Sequence, residues 1–425
     1  MTEAKETHRL VETLFRRRSA NIVATLVSVF GPANLQLAED VTQETLLKAL
    51  RLWPYRGIPE NPSAWLFATA RNIAIDHLRR DISFRAKNSE LRYELENRLN
   101  ISSVSENELE THNSDMLRMM FVCAHPAISK NAQAPLILKT VCAFSVTEIA
   151  RAFLTNNDVI AQRLSRARKS LRDTNPDFKL TRGQRSERLP AVLGALYLLF
   201  SEGYSASGAD ESTRAELCSE AMRLIDTLLD SQSTNTENNG EAGETAALGA
   251  LCNLQASRLA TRIDEHGALI PLEEQDRSQW NRELQAQGFQ LLKRSMQSKT
   301  LSVYHLQAGI AATHATASSF AEINWKQIVA YYNDLIVLQD SPVFVLNRAV
   351  ALSFVEGIDA ALSELTRLAD DPKMKSFYLF HATIADLKRR RKHYAPAKTS
   401  YETARTLTNN PAEKRFLMRR IAELS

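Results

Sequence analysis

The sequence predicts an all-α protein: two small helical modules joined by a linker, followed by a long helical C-terminal domain. Three observations carry this. Glycine and proline are scarce, at 13 each in 425 residues. Few stretches alternate apolar and polar residues as half-buried strands do, and apolar residues recur at helical spacing through most of the chain. The length implies two or three domains, and 44% apolar with 24% charged residues is an ordinary globular balance.

Composition also excludes several classes. The start, MTEAKETHRL, has no apolar signal core, and no apolar run approaches the roughly 18 residues that cross a bilayer. Four cysteines, Cys123, Cys142, Cys218 and Cys252, lie far apart, which suits reduced thiols and a cytoplasmic protein better than a disulfide framework. Cys123 and His125 make a lone C-x-H with no second pair nearby, so two half-buried core residues are expected there rather than zinc, and no cofactor is implied. Net charge is +4 but uneven: residues 1–190 hold 28 Lys+Arg against 21 Asp+Glu, a surplus of seven, and the remainder is three negative. A basic front half suits a polyanion partner.

Residues 8–30 and 35–53 read as two amphipathic helices broken near Gly31-Pro32. Trp53–Pro59 reads as a loop on its prolines and glycine. A third helix starts at Asn61-Pro62, where asparagine can cap and proline at the first position loses no hydrogen bond, and it runs to about Arg80. Trp65, Thr69, Asn72, Asp76, Arg79 and Arg80 share one stripe of it at 4-3-4-3 spacing. An aromatic beside arginines suits stacking on an unpaired base. The alternative is that Trp65 packs under the 53–60 loop.

From Asp81 to Asp115 the chain is polar and reads as a mobile linker. A compact helical unit follows from about 116 to 173. Within it Ser145-Val146-Thr147-Glu148 is a capping box, with Ile149, Ala150 and Phe153 giving the buried face of the helix it opens. Leu154–Asn157 makes a short turn into a second helix, about Asn157 to Arg172. There Ile160, Leu164, Ala167 and Leu171 fall on one side. Asn157 opens the opposite side, which carries Asp158, Gln162, Ser165, Arg166 and Lys169; Arg163 and Arg168 flank it and suit phosphates. This is the pattern of a helix-turn-helix whose second helix reads a major groove. The competing reading is a solvated basic helix on a bundle.

A second tether, roughly Thr174–Arg188, leads into the helical region from Leu189, which contains one low-complexity loop, Ser231–Thr245. Near the end, Ala349 and Ala385, Ala361 and Ala397, and Leu365 and Tyr401 correspond at a spacing of about 36, with Pro372 and Pro411 closing the two units. Paired helices with small residues where they cross read as a TPR-like repeat. Glu273, Glu274, Asp276 and Arg277 form a charged cluster before Trp280 that reads as a capped helix start. No phosphate loop, G-x-G-x-x-G, H-E-x-x-H or G-x-S-x-G occurs, so no enzyme is expected.

Leu37-Ala38-Glu39-Asp40-Val41-Thr42-Gln43-Glu44-Thr45, the run Trp65–Arg80 (W-L-x-x-x-A-R-N-x-A-x-D-x-L-R-R) and Ser145–Asp173 stand in the order found in extracytoplasmic-function sigma factors of bacterial RNA polymerase, and the chain resembles that family. Phe121–Ala127, Phe200–Ser207, Leu272–Trp280 and Leu346–Ala351 resemble the subgroup with a long TPR-type extension. Ser201 and Ala124 depart from that subgroup, which usually has asparagine and cysteine there. The resemblance implies region 2 at 1–81, a linker at 82–115 threading toward the RNA exit path, region 4 at 116–175 and a regulatory extension at 189–425. It implies that Asp40, Gln43 and Glu44 bind core polymerase. The 53–60 loop with Trp65, Thr69, Asn72, Asp76, Arg79 and Arg80 would hold the −10 element, one base extruded. Asn157, Asp158, Gln162, Arg163, Ser165, Arg166 and Lys169 would read the −35 element. Core polymerase and promoter DNA are the expected partners, with a protein or the chain's own front half for the extension. The other class to weigh is a helix-turn-helix regulator with a helical sensor domain.

Overall fold

The computed structural model describes residues 19–85, 108–153, 155–178, 180–205, 211–233 and 239–424. The chain divides into two compact units, Met1–Ala195 and Leu196–Ser425. It is all-α: among the described residues β pairing is limited to an isolated antiparallel bridge between Ile263 and Leu269.

In the first unit, helix α1 covers 19–30; the earlier part of the predicted 8–30 helix lies outside the described residues. Gly31, at φ 84°, leads into a 3-10 turn, Pro32–Asn34, and then α2, Leu35–Arg56. This helix buries Leu35, Ala38, Val41, Thr42, Thr45, Ala49 and Trp53, which share one face at helical spacing. Thr42 and Thr45 sit in that face because their hydroxyls donate to the carbonyls of Ala38 and Val41, at 2.7 and 2.8 Å. The helix runs through Pro54 to Arg56, so the expected 53–60 loop shrinks to its second half. Burial of Trp53 and its edge-on contact with Trp65, centroids 5.4 Å apart, hold the last turn. That contact contributes about 0.5–1.5 kcal/mol beyond burial and offsets part of the hydrogen bond Pro54 cannot make. Gly57 then ends the helix at φ 80°, which a side chain would resist.

Helix α3, Pro62–Arg85, is capped by Asn61, whose side chain accepts from the Ala64 N–H at 3.0 Å. It passes the expected stop at Arg80, and α4, Glu108–Cys123, begins before residue 115. Helical ends therefore occupy both margins of the expected 82–115 linker, and its middle, 86–107, lies outside the described residues.

Helices α5, Lys130–Thr140, α6, Val146–Ala152, and α7, Asn157–Thr174, complete this unit's second core, around Met119, Met120, Leu136, Ile137 and Leu138. Cys123 is fully buried there, 3.4 Å from the Thr140 hydroxyl, and burial pushes its thiol up to about 12. It is an inert core thiol. The capping box at Ser145 forms in both directions: the Glu148 N–H donates to Oγ of Ser145 at 3.1 Å and the Ser145 N–H to the Glu148 carboxylate at 2.7 Å. Ser145→Ala is expected to cost about 1 kcal/mol and to lower the melting midpoint of this unit by about 2–4 °C, read by a thermal melt of the full chain.

The second half of the expected 174–188 tether is helix, because α8, Arg182–Tyr204, starts inside it. Its exposed polar face hid an anchor: Arg188 is 3% exposed and donates to the Phe121 carbonyl at 3.1 Å.

The second unit continues with α9, Glu211–Ser233, α10, Asn239–Ala256, α11, Arg282–Ser295, α12, Val303–Thr316, α13, Trp325–Leu338, and α14, Pro342–Val355. Then come α15, Ile358–Thr366, the single turn α16, Pro372–Lys375, α17, Tyr378–Arg390, α18, Tyr394–Leu407, and α19, Pro411–Ala422. Much of the expected Ser231–Thr245 loop is helical, and Thr245 is fully buried; its polar side chain misled the reading because it donates back to the Glu241 carbonyl at 3.0 Å. Helix α10 packs on both α11 and α12. A methyl group on Gly288 would come 2.7 Å from Leu254 Cγ, so only glycine permits that crossing.

The sequence correspondence near the end falls on two successive hairpins, α14–α15 and α17–α18. Ala349 and Ala385 are buried at one matching point, Ala361 and Ala397 at a second, Leu365 and Tyr401 at a third. Pro372 and Pro411 do not close these units; each occupies the first turn of the following helix.

Candidate nucleic-acid interface

The first unit presents two exposed polar faces. On α2, Asp40, Gln43 and Glu44 are all exposed, opposite the buried threonines. Asp40 accepts from the Gln36 amide at 3.0 Å, and Glu44 lies 3.3 Å from the His77 ring on α3. Sequence reasoning missed a neighbour: Leu47, one turn on from Gln43 and Glu44, is 53% exposed. Its signal was available as a leucine off the α2 core spacing.

On α3, Asn72 and Asp76 are exposed and Trp65 is half-buried. Thr69 is 8% exposed, so it does not stand on the open stripe as expected; the stripe curves under α2, with which α3 packs. The side chains of Arg79 and Arg80 lie outside the described residues. Trp65 packs edge-on against Trp53, which stands on helix α2 rather than in the expected 53–60 loop. The free aromatic here is Tyr55, 89% exposed at the α2–α3 turn with Ile58 44% exposed beside it.

The helix pair α6–α7 is held by two local bonds. Asn156 caps α7, accepting from the Val159 N–H at 2.9 Å, and the Asn157 amide donates to the Thr147 hydroxyl at 3.2 Å, tying the second helix to the first. Ile160, Leu164, Ala167 and Leu171 are all buried, which fixes the rotation of α7 and turns Asp158, Gln162, Ser165, Arg166 and Lys169 outward, with Arg163 half-exposed. Asp158 also lies in the first turn, where a carboxylate favours the helix dipole.

Arg168 departs from its expected role. Its guanidinium grips Glu39 of α2 in a two-pronged bond, Nε to Oε2 at 3.1 Å and Nη2 to Oε1 at 3.2 Å. Both side chains are largely buried, at 21% and 13% exposure. The face of α7 that carries Arg168 packs on α2 and on the 3-10 turn before it, so Arg168 is not available to a phosphate in this conformation.

The first unit thus presents an exposed acidic and amide face on α2 and an exposed basic face on a capped helix pair. Residues 14–82 match the sigma-70 region 2 family, which supports a sigma factor that binds core RNA polymerase and recognises promoters. Residues 188–296 match a family of unknown function, DUF6596. An uncharacterized protein of Rhizobium meliloti (strain 1021) is 35% identical over 400 residues, covering 92% of this chain and 91% of the relative. The chain belongs to the family of that protein, with region 2 of a sigma-70 factor at its front and DUF6596 behind it. No solved structure matches. Among the described residues no helix is long and apolar enough to cross a membrane.

Proposed function

We propose that the protein is an alternative sigma factor of the extracytoplasmic-function type, with a TPR-like C-terminal extension that regulates it in the cytoplasm. The observation that carries this reading is the region 2 match on residues 14–82, followed by a capped helix pair whose second helix turns a basic, amide-bearing face outward. In this reading Asp40, Gln43, Glu44 and Leu47 lie on polymerase. Tyr55, Trp65, Asn72, Asp76, Arg79 and Arg80 hold the −10 element. Asn157, Gln162, Arg163, Ser165, Arg166 and Lys169 form the −35 helix-turn-helix, with Asp158 adjoining. Tyr55 is better placed than Trp65 to stack on an extruded base, because Trp65 is already spent on Trp53. All bond-making chemistry stays with the polymerase.

The test is reconstitution with core polymerase, co-purification, and mapping of transcript starts across a genome. A common sequence at two spaced elements upstream of the starts is the expected result. Promoter binding should weaken steeply with salt, the log–log slope reporting each neutralised phosphate at about 0.9. Tight binding to duplex DNA without polymerase, and no co-purification, would instead make the chain an operator-binding regulator. Removal of the extension tests the regulatory claim: unchanged output and unchanged signal response would sink it.

A further inference from the structure

The second unit holds a cavity of about 240 Å³ between α10, α12, α13 and α14. At about 30 Å³ per molecule that is the space of about eight waters, enough for a small organic ligand. One wall is aromatic, formed by Trp280, Tyr332 and Phe344, and amides of Gln255, Gln307 and Asn347 stand on the lining as well.

The cationic side is the informative one. Arg258 lines the cavity, and none of the lining residues is acidic. Among the described residues the Arg258 guanidinium has no carboxylate partner; it lies over the face of Tyr204, 5.7 Å from the ring centroid. Arg277 adds a second positive charge close by, 4.6 Å over the Trp280 ring, with its Nη1 donating to the carbonyls of His314 and Ala317 at 2.6 and 3.1 Å. That leaves Nη2 of Arg277, Nε1 of Trp280 and Nδ1 of His314 buried without hydrogen-bond partners. Burial, and then the charges of Arg258 and Arg277, hold the His314 imidazole down to about 3, so it is neutral. Two half-exposed guanidiniums and the orphaned ring nitrogens of Trp280 and His314 face no carboxylate among the described residues, and a buried N–H without an acceptor is costly. An anion resolves the cost.

We propose that this cavity is a binding site for a small organic carboxylate of about ten non-hydrogen atoms or fewer, its carboxylate on Arg258 and its apolar body against Trp280, Tyr332 and Phe344. Arg fits this role because its planar fork takes a carboxylate through two parallel bonds, and the aromatic wall supplies affinity for the remainder. Inorganic phosphate would meet the charge and leave the aromatic wall empty, so it is the weaker ligand. The site goes beyond the promoter reading and does not depend on it.

The test is isothermal titration of the full-length chain with a panel of carboxylates from four to ten non-hydrogen atoms, benzoate among them, alongside benzamide and inorganic phosphate. Expected is one-site binding by at least one panel member, with its neutral amide and phosphate at least tenfold weaker. Arg258→Gln should weaken that carboxylate tenfold or more and bring it level with the amide. Ala311→Phe, which fills the cavity from its lining, should abolish binding while far-UV circular dichroism stays unchanged. That second variant keeps the test valid if Arg258→Gln disturbs folding. No heat from any carboxylate overturns the site, and equal affinity for acid and amide overturns the role of Arg258. Neither result touches the promoter reading, since no polymerase or DNA is present.

Discussion

Replacing Arg163, Arg166 and Lys169 together with alanine is expected to lower promoter-directed transcription about a hundredfold at limiting protein, with the fold intact. The reasoning starts from burial. Ile160, Leu164, Ala167 and Leu171 fix the rotation of α7, and none of the three cations shares that face. Substituting them therefore leaves the packing alone. Alanine also favours helix over the residues it replaces, by a few tenths of a kcal/mol. What is lost is contact with the polyanion. At about 1 kcal/mol for each cation, three removals sum to a change of roughly two decades. The salt slope should fall by up to about three units as three phosphate contacts disappear. The measurement is run-off transcription with core polymerase across a salt series, beside a thermal melt. A triple variant with full activity and an unaltered slope would place the DNA-reading face elsewhere.

The residues that carried this prediction were legible in the sequence for a physical reason. A helix of eighteen residues shows its period in full, and the buried and exposed sides of α7 match the periodic reading residue by residue. The capping box at Ser145 was equally legible, since both its bonds are local. Four features were not, and each depends on contacts distant in sequence. Arg168 looked like a phosphate ligand because nothing local reveals that Glu39, 129 residues earlier, lies within reach. Thr69 looked exposed because a hydroxyl gives no sign of which way a helix leans on its neighbour. Pro54 and Gly57 together read as a loop, yet Trp53 had a partner in Trp65 that extended the helix past the proline. The polar run ending at Arg188 read as a tether, and one buried guanidinium makes its end an anchor. The cavity in the second unit was beyond sequence reading altogether. It brings Gln255 and Arg258 of one segment against Asn347 of another some ninety positions later.

The second large effect concerns that Glu39–Arg168 bond. Promoter elements at −10 and −35 are about 25 positions apart, which at about 3.4 Å each is about 85 Å of duplex. Helices α2 and α7 touch in this structure, with a guanidinium nitrogen 3.0 Å from a carboxylate oxygen. Under the promoter reading the two cannot hold both elements while that bond persists, so the structure is a closed state and promoter engagement must open it. A partly buried, two-pronged pair is worth more than a surface one, since removing one partner strands the other's charge. Taking about 1–2 kcal/mol for the difference, its loss shifts the closed–open balance five- to thirtyfold toward open. Glu39→Gln and Arg168→Gln are each therefore expected to raise promoter-directed transcription at limiting protein severalfold, while lowering the stability of the free protein by a similar energy. The exchange Glu39→Arg with Arg168→Glu should restore both values toward the parent, because the bond is remade with its charges reversed. That restoration separates closure from any direct contact of Glu39 with polymerase or of Arg168 with DNA, since either contact would be doubly damaged by the exchange. Single variants that leave transcription unchanged or lower it, with no recovery in the exchange, would show that the contact does not govern access to the promoter.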